Sequence, residues 1–138
     1  MRNKKEKRAI IYFGLNEEIN EESVPDAETF AESNDLTLIG EEIMDINYVI
    51  DDLMCWIEEE EVEHIIISSL VAFSRNLIEA IKIVDELHSM GVCVWLMITC
   101  TRTLNDDGTV NEIAEKMFTL LKENYYFENY KQHGIKKK

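Results

Sequence analysis

No stretch of this chain approaches the roughly 18–20 apolar residues of a membrane span. Neither a spanning helix nor a leader is expected, which reads as a soluble, cytoplasmic, unprocessed protein. Glycine is scarce, and Gly14 stands alone where a phosphate-binding loop would need several. The one proline, Pro25, sits beside Ser23 and Asp26 in what looks like a helix start. Three cysteines, Cys55, Cys93 and Cys100, are an odd number without metal-ligand spacing, as in a reducing compartment. Cys55 and Cys93 lie in apolar runs and are expected to be small buried hydrophobes. The histidines His64, His88 and His133 are scattered, so no metal site and no cofactor is expected, and each reads as structural or solvated. No histidine falls near Ser68, Ser69 or Ser74 to serve as a base. There is no internal repeat.

What is present is a hydrophobic fraction of 46% in 138 residues, enough for one domain over residues 1–138 with a single core. Charge is abundant and unevenly placed. Residues 1–8 carry a net +4 and residues 131–138 another +4, reading as solvated basic tails. Against a total of −14, residues 9–130 are left with −22. A body that acidic repels a phosphate backbone, so nucleic-acid binding is expected to be weak at most.

Short apolar runs alternate with helical spacings. Residues 9–15 read as a strand buried on both faces, followed by an acidic loop. A helix from Ser23, with Ala27, Phe30 and Ala31 inward, breaks at Asn34-Asp35. Residues 36–44 form a more polar strand, expected near an edge. Asn47 could cap a helix to about Glu60, with Val49, Ile50, Leu53, Trp56 and Ile57 inward. A strand over 64–70 leads to Asn76 and Glu79, spaced as a capping box. The helix it opens carries Leu77, Ile81, Val84 and Leu87, with Gly91 as its terminator. Residues 92–98 form a fourth strand, 99–108 a polar loop, and Val110 to Tyr130 a last helix with Ile113, Met117, Leu120 and Leu121 on one face. The alternation predicts an α/β three-layer sandwich, a mostly parallel central sheet of four or five strands, and a long C-terminal helix. Right-handed crossovers place the strands' C-terminal ends, near Asn16, Asp45, Val71 and Thr99, on one edge, where such folds keep their sites.

Two stretches there resemble the signature blocks of serine recombinases, the resolvase–invertase family. Leu70-Val71-Ala72-Phe73-Ser74-Arg75-Asn76-Leu77, between an isoleucine-rich strand and a helix ending in Met90-Gly91-Val92, is similar to the family's Asp-Arg-Leu-Ser-Arg block. Tyr12-Phe13-Gly14-Leu15-Asn16 stands where the family has Tyr-x-Arg-Val-Ser-Thr. Asp45 matches the aspartate after the second strand, and the helix with Leu53-Met54 matches the family's Arg-Pro-containing helix. Tyr126-Phe127-Glu128-Asn129 resembles the Glu-Phe-Glu-Arg stretch of the last helix. The resemblance spans nearly the whole chain and implies the resolvase catalytic-domain fold and a place in DNA recombination, as on mobile elements.

The departures matter as much. The family attacks a DNA phosphate with a serine hydroxyl and neutralises the developing charge with arginines. The nucleophile's position here holds Asn16, and an arginine's holds Gly14. Two more family arginines correspond to Asn47 and Asn129, and a fourth is lost from the Val71-Ala72-Phe73-Ser74-Arg75 block. Ser74, Arg75, Asp45 and Glu128 remain as remnants of the family site, and none is a confident catalytic residue. The resemblance also implies that the family's DNA-crossing arm and helix-turn-helix reader are missing beyond Lys138.

These observations lead to a catalytically inactive resolvase-like domain acting through protein contacts. Tyr125, Tyr126, Phe127 and Tyr130 on the last helix are the expected interface, with a second copy or an active recombinase as partner. The alternative is a functional site-specific recombinase, or DNA-binding protein of that family, using a different serine, with Ser74 the nearest. A small-molecule or nucleotide domain on the same fold finds no support in the residues.

Overall fold

The computed structural model describes residues 6–14, 19–43 and 49–136, the stretch 125–136 by its backbone alone. The first apolar run forms β1, Arg8–Phe13, ending earlier than expected. Its side chains alternate between two cores: Ala9, Ile11 and Phe13 on one face, Ile10 and Tyr12 on the other. Helix α1, Ser23–Ser33, follows and ends at Asn34, with Asp35 in the left-handed region at φ 59°. Strand β2, Thr37–Ile43, is more exposed than β1 and lies at the sheet edge, as its polarity predicted.

Helix α2 spans Val49–Glu58; the expected cap Asn47 lies outside the described residues. Strand β3, His64–Ile67, stops short of the expected residue 70 because Leu70–Ala72 winds into a short 3-10 turn. Helix α3, Leu77–Ser89, begins as the spacing predicted: the Asn76 side chain accepts the Glu79 backbone N–H at 3.1 Å. Gly91 then takes φ +77°, the conformation that ends a helix most cheaply in glycine. Strand β4 covers Cys93–Leu96. The expected polar loop after it contains β5, Thr101–Arg102, a two-residue strand antiparallel to β4. Helix α4 runs Glu112–Lys136, longer than expected.

The sheet order among the described residues is β2-β1-β3-β4-β5, parallel except for β5. Helix α1 covers one face over Ala9, Ile11, Ile66 and Trp95. Helices α2, α3 and α4 cover the other, around Ile10, Tyr12, Ile65, Ile67 and Val94. The architecture is thus the three-layer sandwich expected, with the fifth strand supplied by the loop.

Two inward faces need correction. Cys55 is exposed rather than buried, because α2 turns Leu53 and Val49 to the core and leaves the thiol beside Glu59. The thiol donates to the Glu59 carboxylate at 3.1 Å, and that bond and charge push its pKa up. On α4 the buried residues are Ala114 and Phe118, with Met117 and Leu121 packed beside them. Ile113 and Leu120, expected on the inner face, are 70% and 60% exposed.

Candidate functional site

The strands' C-terminal ends come together as the crossovers require. The Met97 and Ile98 amides donate to the carbonyls of Ile67 and Ser68, at 2.9 and 3.1 Å, so β4 continues alongside the end of β3. Beyond β3, the 3-10 turn is closed by Ala72 N–H to Ser69 C=O at 3.1 Å and Phe73 N–H to Leu70 C=O at 3.0 Å. Phe73 is buried and packs against the Tyr12 ring, centroids 5.7 Å apart, which ties the turn to β1. Tyr12 in turn donates its hydroxyl to Asp52 on α2 at 3.2 Å.

This tie brings Gly14 against the turn. A Cβ at Gly14 would stand 2.6 Å from the Ala72 carbonyl oxygen and 2.9 Å from its Cα. Both are backbone atoms and cannot rotate away, so the position admits only glycine unless the turn moves. The lone glycine carried little weight in sequence; its requirement comes from a chain segment some sixty residues away.

Ser74 and Arg75 follow directly. Ser74 is half-buried, and its hydroxyl accepts the Asn76 N–H at 3.1 Å, a local turn bond leading into the α3 cap. Arg75 is exposed and forms no ion pair among the described residues. The other described arginines are engaged elsewhere. Arg8 pairs with Glu6 and Glu60 at the start of β1, and Arg102 pairs with Asp106 and lies 4.7 Å over the Trp95 ring. Arg75 is thus the single described arginine at this edge. Ile43, Val71 and Ile98, which end the strands or lie in the loops beyond them, are exposed large hydrophobics. Nothing in the sequence pattern separates them from core residues of the same type.

Asn16 and Asp45 lie outside the described residues. Glu128 and the aromatics Tyr125, Tyr126, Phe127 and Tyr130 fall on α4, whose side chains there are outside the description.

The two histidines with described side chains, His64 and His88, sit at the opposite end of the sheet, away from these serines. His64, at the start of β3, is buried and accepts the Trp95 indole N–H on Nδ1 at 3.0 Å. Burial, with smaller contributions from Arg102 and Lys7, lowers its pKa to about 4. His88 Nε2 lies 2.8 Å from the hydroxyl of fully buried Thr103, which itself accepts the Val94 N–H at 2.8 Å. Burial lowers the His88 pKa as well. Both fasten β4 and the following loop, the structural role their scatter suggested. Among the described residues no group of three or more His, Cys, Asp or Glu side chains could hold a metal ion. No described helix is long and apolar enough to cross a membrane.

The fold has close counterparts among solved structures. The N-terminal catalytic domain of TP901-1 integrase superposes with a TM-score of 0.65 at 14% identity, covering 90% of this chain and 98% of that one. A resolvase-family site-specific recombinase from Streptococcus pneumoniae gives 0.64 at 14% identity, covering 91% of each chain. No family model matches the sequence, and no curated protein matches it. The fold is that of a resolvase-like recombinase catalytic domain.

Proposed function

We propose that this chain is a resolvase-like domain that does not cleave DNA and works through protein contacts, with a second copy or with an active recombinase. The observation that carries the proposal is the contact of Gly14 with the Ala72 backbone. Where the resemblance calls for a phosphate-neutralising arginine, the β3–α3 turn fills the space a side chain would use. Asn16 at the nucleophile's position cannot form a phosphoester, and Arg75 stands as the lone described arginine at the edge. Removing one such charge-stabilising donor typically costs about 10²–10³ in rate, so the combined loss leaves no effective cleavage. The net −14 of the chain works against duplex DNA. For a protein-contact role, the exposed Ile113 and Leu120 lie two helical turns apart on α4, on the helix that also carries the Tyr125–Tyr130 aromatics.

The alternative, a working recombinase, draws on one observation: the Ser74 hydroxyl is adjacent to an exposed arginine. Incubation with supercoiled DNA bearing a recombinase's site, followed by denaturation, separates the two. No protein-linked DNA is expected. An adduct that disappears in Ser74→Ala would establish the alternative. Addition of the chain to an active recombinase is expected to change its strand-exchange rate, and an unchanged rate with no co-sedimentation would remove the regulatory half of the proposal.

A further inference from the structure

The outer edge of β2 has no neighbouring strand among the described residues, and α1 runs beside it. Between them lies an open groove of about 580 Å³. Its floor is apolar, from Val24, Ala31, Leu36 and Leu38. Its rim is acidic: Glu28 and Glu32, one helical turn apart on α1, and Glu41 on β2, all exposed. None of the three forms an ion pair among the described residues, and no lysine or arginine lines the groove.

The backbone there is suited to receive a strand. On the inner side the pairing of β2 with β1 slips at Ala9/Ile10, leaving Ile39 as the extra residue of a bulge. The ladder resumes regularly over Gly40–Ile43. On the far face Trp56 lies against the strand. A Cβ on Gly40 would lie 2.6 Å from its ring, and the indole N–H donates to Glu42 at 2.8 Å. Of the devices that blunt edge strands, β2 carries a bulge at Ile39 and the charge of Glu41, but among the described residues no lysine lines the groove and no strand pairs with its outer edge.

We propose that the α1–β2 groove docks an extended, lysine- or arginine-bearing segment of a partner protein, added as a sixth strand beside β2. Main-chain hydrogen bonds would form along Gly40–Ile43. Alternate apolar side chains would rest on Leu36 and Leu38, and the cations between them would meet Glu28, Glu32 and Glu41. Charge selects this occupant. A second copy pairing edge to edge would set these glutamates against their own counterparts, and nucleic acid would meet the same repulsion. The groove's chemistry does not depend on whether the domain cleaves DNA.

The test uses the full chain and a labelled octapeptide alternating lysine and valine, followed by fluorescence anisotropy at low salt. Binding is expected, with slowed amide exchange confined to Thr37–Ile43. The triple variant Glu28→Gln, Glu32→Gln, Glu41→Gln replaces exposed side chains and keeps the fold, as circular dichroism would verify. It should weaken binding by roughly five- to tenfold, three exposed ion pairs' worth. The same peptide N-methylated at every amide keeps its charge but has no main-chain donor to pair as a strand, and should bind at least about tenfold more weakly. Equal binding of the methylated peptide, or of the triple variant, would reduce the contact to nonspecific charge attraction and overturn the proposal. So would protection elsewhere than β2. If the β2 amides are already protected in the peptide-free protein and Lys131→Gln with Lys136→Gln exposes them, the groove belongs to the chain's own basic end. If sedimentation shows instead a dimer that the triple variant dissolves, it belongs to a second copy. Either result also overturns the proposal.

Discussion

Replacing Gly14 by alanine adds one methyl group, and the structure says where it goes. The new carbon would sit 2.6 Å from the Ala72 carbonyl oxygen and 2.9 Å from the Ala72 Cα. Non-bonded carbons are comfortable at about 3.5–4.0 Å, so both contacts are deep in the repulsive range. The opposing atoms belong to a turn held by the Ala72–Ser69 and Phe73–Leu70 hydrogen bonds and pinned by the buried Phe73 ring. Relief therefore requires moving backbone, and overpacking of this kind costs roughly 1–3 kcal/mol. In a domain of this size that corresponds to a fall in Tm of about 4–10 °C. Gly108→Ala is the control. A methyl group added at Gly108 would meet nothing within 4 Å, but the residue sits at φ +87°, so the cost, roughly 1–2 kcal/mol, is conformational and local. The two variants are told apart by amide chemical shifts. Gly14→Ala should displace Leu70 through Asn76, across the sheet, whereas Gly108→Ala should leave them in place. Gly14→Arg should be worse than Gly14→Ala rather than restoring a phosphate site. A Gly14→Ala protein that melts within about 1 °C of wild type with unchanged shifts over residues 70–76 would refute the packing argument and with it the main support for the inactive-site proposal.

The remaining predictions concern pH, DNA and assembly. His64 has a folded-state pKa lowered from 6.5 to about 4, so the folded protein resists its protonation and the unfolded chain does not. Its neutral form is the stable one above pH 6.5, and stability should fall as pH drops from about 6.5 toward 4. The His88 pKa is lowered too, so the fall should be partial in His64→Gln, and a flat pH 7–5 profile in the wild type would contradict both. Binding to ordinary duplex DNA should be weak and should vanish by about 0.2 M salt, since few phosphates are neutralised; submicromolar affinity at that salt would show the surface charge has been misjudged. If α4 forms an isologous contact, Ile113→Ser with Leu120→Ser, or Tyr126→Ser with Phe127→Ser, should shift sedimentation toward monomer without loss of fold. Added salt should strengthen the wild-type assembly by screening the acidic bodies. A wild-type monomer at every concentration would remove the contact, and unfolding of Tyr126→Ser with Phe127→Ser would place those two aromatic side chains in the core instead.

Much of the architecture was written in local pattern. A strand buried on both faces is a continuous apolar run, as Ala9–Phe13 shows, and an amphipathic helix repeats near 3.6, as Leu77–Leu87 shows. The Asn76 cap and the Gly91 stop are likewise local, since each satisfies backbone groups within a turn of itself. The polarity of β2 announced its place at the edge because a strand with one neighbour keeps part of itself in water. The resemblance of the Tyr12–Asn16 and Leu70–Leu77 stretches to serine recombinases likewise led to the fold that the solved structures share.

What pattern could not decide depends on pairs of distant residues. The two-residue β5 is too short for a periodic signal and exists because Thr101 and Arg102 meet Leu96 and Trp95 in register. Cys55 and Ile113 look apolar enough to be buried, but which face of a helix turns inward is set by the partner it meets; here Leu53 and Phe118 took that place. Gly14 reads as an isolated glycine until the β3–α3 turn is seen against it. The same holds for the α1–β2 groove: its glutamates are ordinary surface residues in sequence, and they become a rim only when α1 is laid beside the unpaired edge of β2. Hydrophobic period and capping are properties of neighbours along the chain. Close approach, exposure and charge convergence are properties of neighbours in space, which only the folded sheet and its covering helices bring together.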